Sequence, residues 1–319
     1  MNQERYYPKV SIIIPVYNGT NFLKCAIDCA LNQTYENLEI IVVNDGSTDD
    51  GATEALALSY GSKIRYFHKE NGGVSSALNF GIKQMKGEYF AWLSHDDAYS
   101  PSRIQDSVEL LRNHDLLGKK YVGFTGGYVM DAGGTRLKDL RNCFQQDRIY
   151  TGYEVMELMT EHGTLYGCCF LIPREAFDEV GGFDETLRYS QDSLMWYRLF
   201  LAGYGLVSDN RPNVMSRMHG AQVSHLRRDL FSHDAQVIAK LLAEPLAHAD
   251  HSGTLLLKYI KRLTKYECSE AIDYLLTYAD QNGYLNGKSR MELNAFRFMG
   301  FFRHRIVTLL KKWMIRFRH

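Results

Sequence analysis

A chain of 319 residues with 45% apolar and 23% charged content has material for one large α/β domain plus an appendage, which excludes a disordered or fibrous protein. Formal net charge is zero, yet seven of the 37 Lys and Arg and none of the 37 Asp and Glu lie after Glu292, so an acidic body carries a basic tail. Six cysteines without a CxxC pair argue against zinc, and no signal-peptide pattern or membrane-length apolar run is present, so a cytosolic protein with reduced thiols is expected.

The first 112 residues alternate strand and helix patterns. Val10–Pro15 is a β-branched apolar run, Phe22–Leu31 has apolar residues at helical spacing, and Leu38–Val43 is a second buried run. A helix over Thr48–Ser59, a strand over Ile64–His68, a helix over Val74–Met85 and a strand over Tyr89–Leu93 follow. A helix then opens on Pro101 and runs to Leu111. This order predicts a mainly parallel central sheet with helices on both faces. Ligands of such sheets sit at the carboxyl ends of the strands, here just after Ile14, Val43, His68 and Leu93. Gly-rich turns and short strands occupy 113–220, and from about Asp229 the pattern is helical. Two domains are expected: a catalytic domain over 1–225, and a helical C-terminal region over 226–319.

The segments at those strand ends carry chemistry. After the first strand, Pro15, Tyr17 and Asn18 form a shelf on which a flat base can stack. After the second, Asp45 offers an acceptor for the imide N–H of uracil or thymine, with Gly46 turning the chain and Ser47 or Thr48 available as a cap. Each segment alone also reads as a helix-capping loop; side by side at adjacent strand ends they point to a nucleotide. Neither a GxGxxG run after the first strand nor a Walker lysine loop occurs, which weighs against a dinucleotide dehydrogenase or a P-loop kinase. The third junction, Asn71 to Asn79, places glycines and small residues at a helix start.

The most informative segment is Ser94-His95-Asp96-Asp97, where a buried strand ends on two adjacent carboxylates. Unpaired anions there repel, so a positive group is expected to join them. A divalent cation shared with diphosphate oxygens fits, and an Asp pair capping the next helix is the plainer reading.

The runs VSIIIPVYNG, EIIVVNDGSTDD, NGGVSSALNFGI and EYFAWLSHDD, in this order and spacing, resemble family 2 glycosyltransferases over about residues 8–225. The resemblance implies a GT-A nucleotide-diphospho-sugar transferase fold. It also implies an inverting, metal-dependent transfer from a nucleotide-diphosphate donor, a UDP-sugar by Asp45, to a hydroxyl of a glycan or lipid-linked acceptor in surface polysaccharide synthesis. It assigns the donor nucleotide to Pro15, Tyr17, Asn18, Asp45, Ser47, Asn79, Ser94, His95 and Asp96. The metal falls to Asp96 as direct ligand, to Asp97 as a ligand or a group behind the ligands, and to His219, with Mn2+ favoured over Mg2+ because imidazole joins the carboxylates. Arg217 would face the diphosphate; Gly182, Gln191 and Trp196 would shape the sugar and acceptor pocket. Asp192, second in a Gln-Asp pair at a helix start, would be the general base. Two positions depart from the family pattern: Ser94 stands where an aspartate is usual, and Leu78 where many relatives carry arginine.

A non-catalytic sugar-nucleotide binder or scaffold that keeps the fold is the alternative, and a nucleotidyltransferase is weakened by the missing Gly- and Arg/Lys-rich loop after the first strand. Over Asn294–His319, Phe298, Phe302, Ile306, Leu309, Leu310, Trp313 and Phe317 recur at helical spacing among basic residues. Such a helix can lie in the headgroup layer, which predicts a peripheral position at the inner face of the plasma membrane; packing on the chain or a second subunit is the competing reading. Nucleic acid is not an expected partner, because the body is acidic and no nucleic-acid motif is present.

Overall fold

A computed structural model describes residues 6–163, 165–220, 230–250, 252–266 and 268–296. The chain runs β1 (Val10–Val16), α1 (Leu23–Leu31), β2 (Leu38–Asp45), α2 (Ala52–Leu58), β3 (Arg65–Lys69), α3 (Val74–Gln84), β4 (Tyr89–Trp92), β5 (Ala98–Tyr99) and α4 (Arg103–Asn113). It continues through β6 (Tyr121–Met130), β7 (Arg136–Asp139), β8 (Arg148–Tyr150), α5 (Gly152–His162), β9 (Phe170–Pro173), α6 (Glu175–Val180), α7 (Gln191–Leu201) and β10 (Gly205–Arg217). Three further helices follow, α8 (Leu230–His248), α9 (Thr254–Leu263) and α10 (Ser269–Gln281), and then a helix over 287–296.

The strands form one sheet in the order β3-β2-β1-β4-β9-β6-β10-β5, with β7 on β6 and β8 on β10. β3, β2, β1 and β4 are parallel neighbours. Every residue of β1 is buried, as its unbroken β-branched run predicts for a strand covered on both faces. Beyond β4 the sheet is mixed: β9 runs antiparallel to both β4 and β6, whereas β10 is parallel to β6. The chain order reverses between β1 and β4. Such a switch point, at the carboxyl ends of the strands, is the place where open α/β sheets take ligands.

Two compact units are present: Met1–Val155 with Thr164–Leu226, and Met156–Gly163 with Arg227–His319. In the second, α8, α9 and α10 pack on one another. The buried face of α9 is Leu255, Leu256, Tyr259, Ile260 and Leu263, a helical stripe whose spacing leaves Lys258, Lys261 and Arg262 on other faces. Among the described residues no helix is long and apolar enough to cross a membrane. The basic stripe from Phe298 to Phe317 lies outside the described residues.

Candidate active site

The loops after β1 and β2 are laced together. Asn18 adopts a left-handed conformation (φ 49°), which asparagine tolerates better than most residues. Its amide N–H donates to Ser47 Oγ at 2.9 Å, and its side-chain oxygen accepts the Thr48 N–H at 2.8 Å. The Gly19 N–H reaches Thr53 Oγ1 on α2 at 3.0 Å. Tyr17 is left exposed beside Thr48, so its ring is the available flat surface, whereas Pro15 is buried within β1 and offers no shelf. A Cβ on Gly19 would stand 2.7 Å from His95 Cδ2, so a glycine there lets the His95 ring pack under this loop. Burial lowers the pKa of that imidazole, with the Asp96 charge acting the other way.

The Asp45 carboxylate is buried and has several protein partners. It accepts Lys69 Nζ at 2.8 Å, the Gly72 N–H at 3.0 Å and the Gly73 N–H at 2.7 Å. The residue expected to read a nucleobase thus braces the turn that leads into α3. Asn79 has a similar task. Its amide donates to the Phe183 carbonyl at 2.8 Å and to Glu185 at 2.9 Å, and its oxygen accepts the Phe183 N–H at 2.8 Å. A side chain at Gly182 would collide with this clasp, its Cβ falling 2.4 Å from Asn79 Oδ1. Leu78, at 0% exposure, is core.

Beyond β4 the two aspartates part ways. Asp96 Oδ2 and His219 Nε2 lie 3.0 Å apart although 123 residues separate them in sequence, and both side chains keep some exposure, 15% and 13%. His219 also packs on the Phe22 ring, at 4.9 Å between centroids. Asp97 is 1% exposed. Its Oδ2 accepts Tyr166 Oη at 2.5 Å and Cys168 Sγ at 3.5 Å, and its Oδ1 accepts the Arg217 N–H at 2.9 Å. Burial, reinforced by the neighbouring Asp96 charge, pushes its pKa up to about 7. Of the two roles expected for Asp97, direct ligand or support behind the ligands, the geometry goes against the first: protein donors take both its oxygens.

Two more expectations are revised by burial. Arg217, read as a diphosphate contact, is 6% exposed; its Nε donates to the Asp96 carbonyl and its Nη1 to the Ala132 carbonyl, each at 2.9 Å, and it stacks over Phe22. It shapes the segment that carries Asp96. Trp196, read as an acceptor wall, is fully buried, stacks on Phe170 at 4.1 Å and donates its indole N–H to the Leu165 carbonyl.

At the start of α7, Asp192 is partly exposed and its Oδ1 accepts the Ser193 N–H at 2.7 Å. Burial of the carboxylate raises its pKa to about 6, against backbone hydrogen bonds that lower it. Beside it, Gln191 Oε1 is buried with no hydrogen-bond partner among the described residues, an acceptor that a ligand hydroxyl would satisfy. Ser94 meets the Cys168 thiol at 3.8 Å, and Gly182 is exposed. Sequence reasoning missed Tyr166, Cys168, Phe22, Lys69 and Arg188. Each acts through a contact distant in sequence, and no local spacing marks it.

Among the described residues no three His, Cys, Asp or Glu side chains cluster as a metal cage. The Asp96–His219 pair nevertheless suits a divalent cation whose other positions are filled by phosphate oxygens and water, because such ions are commonly held by one or two protein groups plus substrate. At 3.0 Å one imidazole nitrogen and one carboxylate oxygen face the same point.

The glycosyl transferase family 2 model matches residues 11–181. An uncharacterized glycosyltransferase of Rickettsia bellii (strain RML369-C) is 48% identical over 69% of this chain and 31% of its own length. GgaB, a minor teichoic acid biosynthesis protein of Bacillus subtilis (strain 168), is 28% identical over 82% of this chain and 29% of its own length. The chain thus spans about a third of the length of these relatives. Among solved structures, S. aureus TarS residues 1–349 in complex with UDP-GlcNAc matches with a TM-score of 0.69 at 16% identity, over 92% of this chain and 89% of that one. Mannosyltransferase PcManGT from Pyrobaculum calidifontis, in complex with GDP-Man and Mn2+, matches with a TM-score of 0.51 at 17% identity, over 98% and 86%. The shared feature is the GT-A arrangement of sheet and helices.

Proposed function

The chain belongs to glycosyl transferase family 2, and on that premise we propose that it transfers a sugar from a nucleoside-diphosphate donor, a UDP-sugar, to a hydroxyl of a glycan or lipid-linked acceptor. The observation that carries this reading is the meeting of Asp96 and His219 at the strand ends, 3.0 Å apart, beside the loops after β1 and β2. The likeness to TarS, solved with UDP-GlcNAc, supports the choice of donor, and the likeness to GgaB supports a surface-polymer acceptor.

Asp96 and His219 would hold a divalent cation, Mn2+ in preference to Mg2+, which when bound supplies positive charge to the departing diphosphate. Tyr166, Cys168 and the Arg217 backbone hold Asp97, and the Arg217 guanidinium holds the Asp96 carbonyl, so the segment is fixed before substrate arrives. Asp192 takes the proton of the acceptor hydroxyl as its oxygen bonds to the anomeric carbon. The bond from that carbon to the phosphate oxygen breaks on the opposite side, the nucleoside diphosphate leaves, and the anomeric configuration inverts. Gln191 Oε1 would accept a sugar hydroxyl next to the reacting centre.

A panel of nucleotide sugars with Mn2+, read by released nucleoside diphosphate, tests the reading. Asp192→Asn is expected to bind donor as the parent does and to lose about 10²–10⁴-fold in transfer rate. Undiminished turnover by this variant would end the assignment of the base. We also infer that residues 294–319 place the enzyme on the inner face of an anionic membrane. Chain lacking 294–319 should no longer float with phosphatidylglycerol vesicles, and identical flotation of the two chains rejects the idea.

A further inference from the structure

We infer that Arg188 is a donor-binding residue: its guanidinium, seated on the Gly72–Gly73 turn, takes the diphosphate of the nucleotide and links donor occupancy to the helix that carries Asp192. This rests on the reading of the cleft as a donor site.

Arg188 lies in the segment leading into α7, four residues before Asp192. Its side chain crosses to the carboxyl end of β3, where Nη1 donates to the Gly72 carbonyl at 2.9 Å. The turn is shaped around it. Gly73 has φ +89°, and a Cβ placed there would stand 2.7 Å from Arg188 Nη1. Any other residue would both strain the backbone and push the guanidinium away.

The turn cannot serve the anion through its own glycine amides, because the Asp45 carboxylate already receives the Gly72 and Gly73 N–H groups and the Lys69 ammonium. Two other positions fail to supply a guanidinium to the cleft. Leu78, on the inward side of α3, is fully buried and apolar. Arg217 is directed inward to the carbonyls of Asp96 and Ala132. Arg188, by contrast, is an exposed side chain at the strand ends. A planar guanidinium presents paired N–H donors that match phosphate oxygens, which an ammonium does not.

The same segment is held at its other end by the Asn79 clasp on Phe183. A donor bridged by Arg188 therefore draws on a short stretch anchored at Phe183 and ending at the base. That gives a physical route by which donor binding sets the position of Asp192 before the acceptor arrives.

Calorimetric titration of uridine, UMP and UDP into the full chain with Mn2+ tests the assignment, using Arg188→Gln and Arg188→Lys. Loss of a charge-assisted contact predicts that Arg188→Gln weakens UDP by about 10- to 100-fold and leaves uridine unchanged. Arg188→Lys should fall between Arg188→Gln and the parent, keeping the charge and losing the fork. If uridine and UDP weaken by the same factor, Arg188 only braces the turn and the inference is wrong. Unaltered UDP affinity in both variants also overturns it. A parent chain that binds no UDP would instead refute the donor reading of the cleft itself.

Discussion

Adjacent carboxylates at 96 and 97 have opposite fates, and the cause is direction. After β4 ends, one side chain meets His219 and keeps some exposure while its neighbour is buried, and burial holds the pKa of that neighbour near 7. Tyr166 donates the short bond to Asp97, so Tyr166→Phe removes a hydrogen bond to a buried carboxyl and should cost about 1.5–3 kcal/mol in urea unfolding. A loss under 0.5 kcal/mol would mean the phenol does not hold Asp97. The proposed base gives a pH test. With its pKa raised to about 6 by burial, Asp192 is protonated below that value and cannot accept the acceptor proton. The acid limb of kcat/KM is therefore expected to bend near pH 6, falling about tenfold per unit below it. A limb near 4 would show that the group titrating is not shielded. The end of a buried strand marked Asp96 in sequence, whereas Asp192 and His219 were singled out only by the resemblance to family 2 glycosyltransferases. The separation of Asp96 from Asp97, and the inward turn of Arg217, depend on partners such as Tyr166 and Ala132 that periodicity does not link to them.

Regular elements whose faces are wholly buried were the easiest to read, and short or exposed ones the hardest. β1 and β2 match their apolar runs closely, whereas β5, β7 and β8 have two to four residues each and carry no usable alternation. α2 starts at Ala52, not at Thr48, because Gly51 takes a left-handed φ of 79° and Asp49 turns to accept both the N–H and the hydroxyl of Thr53. The expected parallel sheet is found in β3-β2-β1-β4, while β9 inserts antiparallel between β4 and β6; Phe170–Pro173 is legible as a strand, but nothing in its residues marks its direction. The α3-to-loop clasp is where elements couple. Asn79→Ala removes three hydrogen bonds to Phe183 and Glu185 and is expected to destabilise by about 1–3 kcal/mol. Hydrogen exchange should speed up at the Phe183 amide ahead of the β1 amides; equal acceleration at both would make the effect global and not a property of the clasp.

At the scale of the whole molecule, the division into compact units departs from a single cut in sequence. Residues 156–163, the distal part of α5, group with 227–319 although they precede β9. Within that second unit Lys258 Nζ binds Glu157 at 2.6 Å, and Met156 and Met159 are each 2% exposed. A cut near 225, where glycine becomes sparse and the helical pattern begins, therefore does not separate the units cleanly. A chain ended after residue 226 keeps Met156 and Met159 but lacks the remainder of the unit they belong to. Loss of the rest of their unit is expected to expose both methionines, at about 1.5–3 kcal/mol apiece, enough to matter against the stability of an ordinary domain. The shortened chain should melt several degrees lower, bind a hydrophobic dye and tend to aggregate, and replacing Met156 and Met159 together by lysine should restore solubility without restoring the melting temperature. Dye-free, monomeric behaviour of the shortened chain with the parent's melting temperature would mean that residues 156–163 draw no stability from 227–319, and that the chain can be divided near 226 after all.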